Sequence, residues 1–151
     1  MDNALDFNQI KDLIPHREPF IYLDSLVEII KLKKASGIKT FKRDEAFFKG
    51  HFPDNPVVPG VILIEMMAQT AAALIAYSLK TETFDKIVYL MNVESCKFRN
   101  PVFPEMKVKA NVESLRSRGR VWKFYGKMHD EKSNLICESI WSAMIMDKNN
   151  V

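Results

Sequence analysis

Cysteine is scarce in this chain, which has only Cys96 and Cys137, far apart and in no spacing typical of a metal site. So few cysteines argue against a disulfide framework and favour a reduced, intracellular setting. The first residues contain no basic segment followed by an apolar stretch, so we expect no signal peptide and predict a cytoplasmic protein.

Charge of one sign and recognisable cofactor motifs are also lacking. Lys and Arg number 22 against 19 Asp and Glu, and the net charge of +3 is too small to indicate nucleic-acid binding. His16, His51 and His129 have no helical spacing to one another or to a carboxylate partner, so no metal site is expected. The sequence has no glycine-rich nucleotide loop and no nucleophile elbow. These absences favour chemistry that needs neither cofactor nor metal.

The sequence has one long apolar run, from Val61 to Leu79. It contains Glu65 and Gln69 and lacks flanking anchors, so a buried central helix is favoured over a membrane span. A helix that is apolar on nearly every side must be enclosed by other elements. With 151 residues, 47% of them apolar, the chain fits one domain over residues 1–151, and no membrane or nucleic-acid partner is expected.

Shorter elements are predicted on both sides of this helix. The D-x-x-Q spacing from Asp6 to Gln9 forms a capping box and predicts a short helix. Asp44 is the expected cap of a helical turn, and the long helix should end near Lys80. Strands are predicted at Phe20–Leu23 continuing to Leu26–Ile30 with a bend at Asp24–Ser25, at Ala35–Lys42, Ile87–Arg99, Met106–Leu115, Val121–Met128 and Leu135–Met146, before a frayed tail at Asp147–Val151. We therefore predict an α+β fold, with a curved antiparallel sheet wrapped around a long central helix.

Two side chains near the start of the long helix suggest acid–base chemistry. His51 lies in a loop stiffened by Pro53, Pro56 and Pro59, and Glu65 is the single carboxylate of the helix. A carboxyl group in apolar surroundings can stay protonated near neutral pH and donate a proton, while a neutral histidine can accept one. Structural interpretations remain open, because His51 can be a packed side chain and Glu65 can pair with a basic residue or lie at a subunit interface.

The beginning of the helix adds a third component. The first amides after Pro59, at Gly60 and Val61, have no helical carbonyl to bond, and the helix dipole is positive there. Developing negative charge on a substrate carbonyl is stabilised by such donors, as in an oxyanion hole. The arrangement predicts elimination or addition next to an activated carbonyl.

These motifs together resemble one family, the β-hydroxyacyl-acyl-carrier-protein dehydratases of type II fatty acid synthesis, of the FabZ type. The resemblance spans nearly the whole chain. The segments that carry it are His16–Phe20, Gly50–Pro53, Pro56–Val61, Glu65, Met67–Gln69, Phe98–Arg99, Trp122 and Ala143–Ile145.

The resemblance implies a hot-dog fold, a homodimer assembled three to a hexamer, and cofactor-free loss of water from a (3R)-3-hydroxyacyl thioester to give the trans-2-enoyl thioester. It implies that His51 removes the C2 proton, that protonated Glu65 assists departure of the hydroxyl, and that the two meet across the dimer interface. The Gly60 amide would polarise the thioester carbonyl. Gln69 would orient the site, and Tyr89 matches a position that gates the acyl tunnel.

The family comparison also bears on specificity and on the partner. Glutamate rather than aspartate at position 65 resembles the plain dehydratases more than the dehydratase–isomerases. The family's Pro-Gly-Asp turn is replaced here by Pro104-Glu105-Met106. The implied partner is an acidic acyl carrier protein with a phosphopantetheine-linked substrate. The basic residues that form either a solvated rim or its docking site are Lys97, Arg99, Arg116, Arg118 and Arg120.

Two other functions remain compatible with these patterns. One is a thioesterase of the same fold in which Glu65 activates water, although such an enzyme has no need of His51 in its proline-framed loop. The other is a non-catalytic acyl-binding module, which the presence of both His51 and Glu65 argues against.

Overall fold

The computed structural model describes residues 4–79 and 86–147. Two helices, six strands and one short 3-10 helix are present in this part of the chain. In chain order they are α1 (Phe7–Lys11), β1 (Ser25–Ile30), β2 (Lys34–Thr40), the 3-10 helix (Ala46–Lys49), α2 (Gly60–Leu79), β3 (Lys86–Phe98), β4 (Lys107–Arg118), β5 (Val121–Asp130) and β6 (Leu135–Asp147). The predicted α+β class is confirmed.

The six strands form one antiparallel sheet in the order β1-β2-β4-β5-β6-β3. β3 follows α2 in the sequence but pairs with β6, so it lies at one edge of the sheet. β1 lies at the other edge, where Leu5 forms a bridge to Leu26. All six strands contact α2, so the sheet wraps around this helix as predicted.

Helix α2 is buried along its middle and exposed at its ends. Met66, Met67 and Leu74 are fully buried, whereas Val61 in the first turn is 70% exposed. Gly37 of β2 permits close contact between helix and sheet, because a Cβ there would collide with Thr70 and Leu23. The helix is long and apolar enough to cross a membrane, but 56% of its most apolar stretch is already buried, as in the core helix of a soluble protein.

Several predicted boundaries need correction. Phe20–Leu23 is not a strand, since β1 begins at Ser25. The irregularity in β1 lies between Val27 and Ile30 rather than at Asp24–Ser25. The predicted cap Asp44 is also wrong, because the 3-10 helix is preceded by Glu45 and has no side-chain cap.

Other elements agree with the prediction or extend it. The capping box at Asp6 is confirmed, with reciprocal bonds to Gln9. β4 continues to Arg118, three residues beyond its predicted end at Leu115, so the turn before β5 is confined to Gly119 and Arg120. The predicted helix end near Lys80 lies outside the described residues. Of the predicted tail Asp147–Val151, Asp147 is the last residue of β6 and 148–151 lie outside the described residues.

Glu105 occupies the turn where the sequence departs from the family pattern. Its φ of 71° is in the left-handed region that favours glycine. Its amide donates to the Phe41 carbonyl at 2.6 Å, and its carboxylate accepts from the Arg43 amide at 2.6 Å. The turn keeps a glycine-like backbone with a glutamate because both ends of the residue are hydrogen-bonded.

Candidate active site

Glu65 lies in the second turn of α2, with its side chain 20% exposed. The amide of Gln69 donates to its Oε1 at 3.0 Å, and His16 Nε2 lies 3.5 Å from the same oxygen. Among the described residues no donor contacts the other oxygen, Oε2. Glu65 is therefore not an isolated charge in an apolar helix, because two polar side chains converge on one of its oxygens and leave the second free to react.

Gln69 joins Glu65 to the segment that precedes β1. It is 1% exposed, and besides Glu65 it contacts the backbone of Phe20 and Tyr22. Its Oε1 accepts from the Tyr22 amide at 2.7 Å, and its Nε2 donates to the Phe20 carbonyl at 3.1 Å. The Gln69 side chain thus occupies backbone groups that would otherwise pair with a neighbouring strand. This explains why the segment Phe20–Leu23 is not a strand, despite its strand-forming residues.

Tyr22 adds a neutral group beside this network. Burial, and then the nearby carboxylates of Glu45 and Glu65, raise the pKa of its phenol. The hydroxyl therefore remains protonated at neutral pH and can act as a donor.

His51 is held by its own loop. Its Nδ1 lies 2.8 Å from the Val57 carbonyl, the Val57 amide donates to the His51 carbonyl at 2.9 Å, and its ring stacks on Phe52. A carbonyl oxygen can only accept, so the neutral ring carries its proton on Nδ1. The lone pair is then on Nε2, which is the atom able to take a proton from a substrate.

The structure does not join His51 to Glu65 within one chain. No hydrogen bond or ion pair connects their side chains in the part of the chain that the structure describes. His51 contacts its own loop, and Glu65 contacts Gln69 and His16. Each of the two predicted catalytic groups therefore has its own set of contacts within one chain.

His16 is a site residue for which the sequence predicted no role. Its side chain is 18% exposed, and its Nδ1 is buried without a hydrogen-bond partner among the described residues. The only sequence signal was its place in the His16–Phe20 segment of the family resemblance. Its contact with Glu65 joins residues far apart in the chain and could not be read from spacing.

The first turn of α2 keeps free amides where they were predicted. The amides of Ile62 and Leu63 donate to the Pro59 carbonyl, whereas those of Gly60 and Val61 donate to no backbone carbonyl in the described chain. Gly60 also packs closely against β3. A Cβ at this position would lie only 2.8 Å from the Phe98 ring. Glycine therefore lets the start of α2 pack closely against the Phe98 ring of β3.

An apolar cavity lies further along the helix face that carries Glu65. Its volume is about 200 Å³, and its walls include Ala72, Ala76, Val88 and Trp122. Ala72 and Ala76 follow Glu65 by seven and eleven residues and so lie on nearly the same side of the helix. Tyr89 lies next to Val88 on β3 but is 44% exposed, so in one chain it stands outside this cavity.

The five predicted basic residues fall into two clusters within a single chain. The first cluster is at the end of β4 and in the turn that follows it, and contains Arg116, Arg118 and Arg120. The strand register places this cluster at the same end of the sheet as Tyr89. The second cluster, Lys97 and Arg99, lies at the opposite end of β3. Eight strand residues separate Tyr89 from Lys97, which corresponds to about 25 Å. Arg116 and Arg118 line a cleft of about 360 Å³ with Lys123, while Arg99 pairs with Glu138 at 3.3 Å.

Comparison with known proteins identifies the family. The family model described as a FabA-like domain matches residues 14–139. The 3-hydroxyacyl-[acyl-carrier-protein] dehydratase FabZ of Paramagnetospirillum magneticum is 43% identical over 148 residues, which covers 98% of this chain and 91% of the relative. The FabZ of Rhodospirillum rubrum is 44% identical over 145 residues, with 96% and 90% covered. The chain belongs to the FabZ-type dehydratases.

Solved structures confirm the hot-dog fold of this FabZ-type chain. The dehydratase heterocomplex ApeI:P from Xenorhabdus doucetiae aligns with a TM-score of 0.79 at 15% identity, covering 93% of this chain and 92% of that one. A thioesterase superfamily member from Thermus thermophilus aligns with a TM-score of 0.61 at 15% identity, covering 81% and 87%. The fold of the FabZ-type chain is thus shared with a member of the thioesterase superfamily, so fold alone does not identify the catalytic residues.

Proposed function

We propose that this chain, as a 3-hydroxyacyl-[acyl-carrier-protein] dehydratase of fatty acid synthesis, uses His51 and Glu65 as its base and acid. The observation that carries the proposal is the set of hydrogen-bond contacts that His51 and Glu65 make in this FabZ-type chain. His51 Nδ1 lies 2.8 Å from the Val57 carbonyl, which leaves the lone pair of the neutral ring on Nε2. Gln69 donates to one oxygen of Glu65, and no donor among the described residues contacts the other. The protein is proposed to act in the cytoplasm as a single domain over residues 1–151, without cofactor or metal.

The proposed reaction needs two proton transfers. His51 Nε2 takes the proton from C2 of the (3R)-3-hydroxyacyl thioester, and the electron pair of the C2–H bond forms the C2–C3 double bond. The C3–O bond breaks, and protonated Glu65 gives its proton to the departing hydroxyl, which leaves as water. The free amides of Gly60 and Val61 stabilise negative charge on the thioester oxygen while the C2 proton is removed.

The cavity beyond Glu65 is proposed to take the acyl chain. It lies on the side of α2 that carries the acid, and its walls are mainly apolar. A thioester whose C3 hydroxyl lies at Glu65 can therefore extend its carbon chain along the helix. Tyr89, outside the cavity of its own chain, is proposed to gate the tunnel mouth.

The site is proposed to form between two chains. His51 and Glu65 have separate contacts within one chain, and one long edge of β3 pairs with no other strand of the described residues. Residues 89–95 of this edge are all exposed, including Tyr89, Leu90, Met91 and Val93. An exposed apolar edge strand favours pairing with another strand. We propose a homodimer that pairs through β3, and a trimer of such dimers as the complete assembly.

The first test of the function is the product of the wild-type protein. We expect 3-hydroxybutyryl thioester to give the enoyl thioester, detected by its absorbance, without release of free thiol. A thiol reagent in a parallel reaction measures hydrolysis. Thiol release without enoyl product would assign a thioesterase, and neither product with bound substrate would assign an acyl-binding module.

The carrier protein is proposed to dock on the cleft lined by Arg116 and Arg118. An acidic partner is attracted to such a cleft, and charge complementarity acts mainly on the rate of association. We expect Arg118→Glu to raise KM for carrier-bound substrate about tenfold and to leave KM for the same acyl group on pantetheine unchanged. Steady-state kinetics with both substrates check this.

Lys107→Glu is the matched control for docking, since Lys107 is exposed at the opposite end of β4. It makes the same change in net charge away from the cleft. An equal rise in KM for both variants would indicate a general charge effect and remove the cleft from docking.

A further inference from the structure

We propose that His16 is a positioning residue that acts with Gln69 to hold Glu65 so that Oε2 faces the substrate. The inference rests on the proposed role of Glu65 as the acid. Two side chains contact the same oxygen of Glu65: Gln69 Nε2 lies 3.0 Å and His16 Nε2 lies 3.5 Å from Oε1. With Oε1 occupied, a proton on the carboxyl group is placed on Oε2.

The environment of His16 selects the form of its ring. Nδ1 is buried, and no acceptor contacts it in the described chain. A proton on Nδ1 would be a buried donor without a partner, which is costly. The neutral ring therefore carries its proton on Nε2, the nitrogen that lies 3.5 Å from Glu65 Oε1.

The backbone that carries His16 is fixed on both sides. The Arg17 guanidinium donates to the carbonyls of Lys11 and Ile14 at 3.0 and 2.9 Å, which ties the segment to α1. On the other side, the Gln69 amide bonds the backbone of Phe20 and Tyr22. The same Gln69 that contacts Glu65 thus also anchors the segment that carries His16.

The distance of 3.5 Å is at the outer limit of a hydrogen bond. Hydrogen bonds at catalytic groups are often long before substrate binds and shorten in the complex. His16 is therefore expected to affect kcat more than KM, because it acts on the geometry of the acid during the reaction.

The test compares two substitutions of His16. His16→Leu removes the donor but keeps similar bulk. We expect kcat to fall at least about tenfold, with KM little changed, since a misplacement of about 1 Å can cost about a hundredfold. His16→Gln places an amide donor near the position of Nε2 and should keep kcat within about threefold of wild type. Equal losses in both variants, or no loss in His16→Leu, would overturn the proposal.

A double variant separates positioning from a structural role. In a Glu65→Gln background, His16→Leu should cause almost no further loss, because residues that act as a unit are not additive. A further tenfold loss there would show that His16 acts independently of Glu65 and would refute the inference. The wild-type assay tests the proposed function separately, since an active dehydratase can still fail each of these tests of His16.

Discussion

Glu65→Gln and His51→Ala are each expected to lower the turnover of 3-hydroxybutyryl thioester by at least about a hundredfold, the lower scale for losing a general acid or base. Gln at position 65 keeps an oxygen for Gln69 and His16 but cannot release a proton as a carboxylic acid does. Ala at position 51 removes the ring nitrogen that is proposed to take the C2 proton. Enoyl absorbance under saturating substrate measures kcat directly.

The controls for these variants test the assignment rather than the fold. His129→Ala removes a histidine from β5, and Glu113→Gln removes an exposed carboxylate from β4, and neither should alter turnover. Thermal unfolding of all four variants detects loss of folded protein. If Glu65→Gln or His51→Ala stays folded and keeps wild-type turnover, that residue has no part in the chemistry.

The second large effect is recovery of activity when two inactive variants share a dimer. A mixed dimer of His51→Ala and Glu65→Gln subunits has one site with both residues intact and one with both replaced. Random pairing makes half of the dimers mixed, so co-expressed chains should regain about a quarter of wild-type activity under C2 symmetry. Each variant alone is expected to be at least a hundredfold below wild type. Recovery therefore requires a site formed by two chains.

A double variant supplies the negative control for this experiment. Co-expression of the His51→Ala/Glu65→Gln chain with either single variant forms mixed dimers that contain no intact site, and activity should stay at the level of the single variant. Sedimentation verifies that the mixed species are dimers or larger. Folded, mixed assemblies of the two single variants without recovery would place His51 and Glu65 of one site on the same chain.

The enclosed helix and its carboxylate were predictable because their signals are local. Nineteen consecutive residues with few charges predict burial, and a carboxylate among them stands out. The contacts of that carboxylate were not predictable in the same way. His16 reaches Glu65 only after the segment that carries it has packed against α2, and no periodicity in the sequence reports such a contact.

The errors in the fold have a similar cause. Phe20–Leu23 has strong strand propensity, yet its backbone bonds are made by the Gln69 side chain. Asp44 is a favourable cap residue, but the 3-10 helix begins one position later. The basic residues are grouped in the sequence around positions 97–99 and 116–120, and only the strand order shows that these groups lie at opposite ends of the sheet.

The unpaired edge of β3 has a consequence for the encounter with the carrier protein. Two copies of one strand related by a two-fold axis pair antiparallel, so in the proposed dimer the end of β3 with Lys97 lies beside the start of the second copy's β3. Each chain's Arg116–Arg120 cluster then shares one end of the joined sheet with the other chain's Lys97 and Arg99. Charges separated within a monomer become two composite patches. Dissociation of the dimer would therefore slow carrier capture as well as separate the acid from the base, and both losses would follow the same dependence on protein concentration.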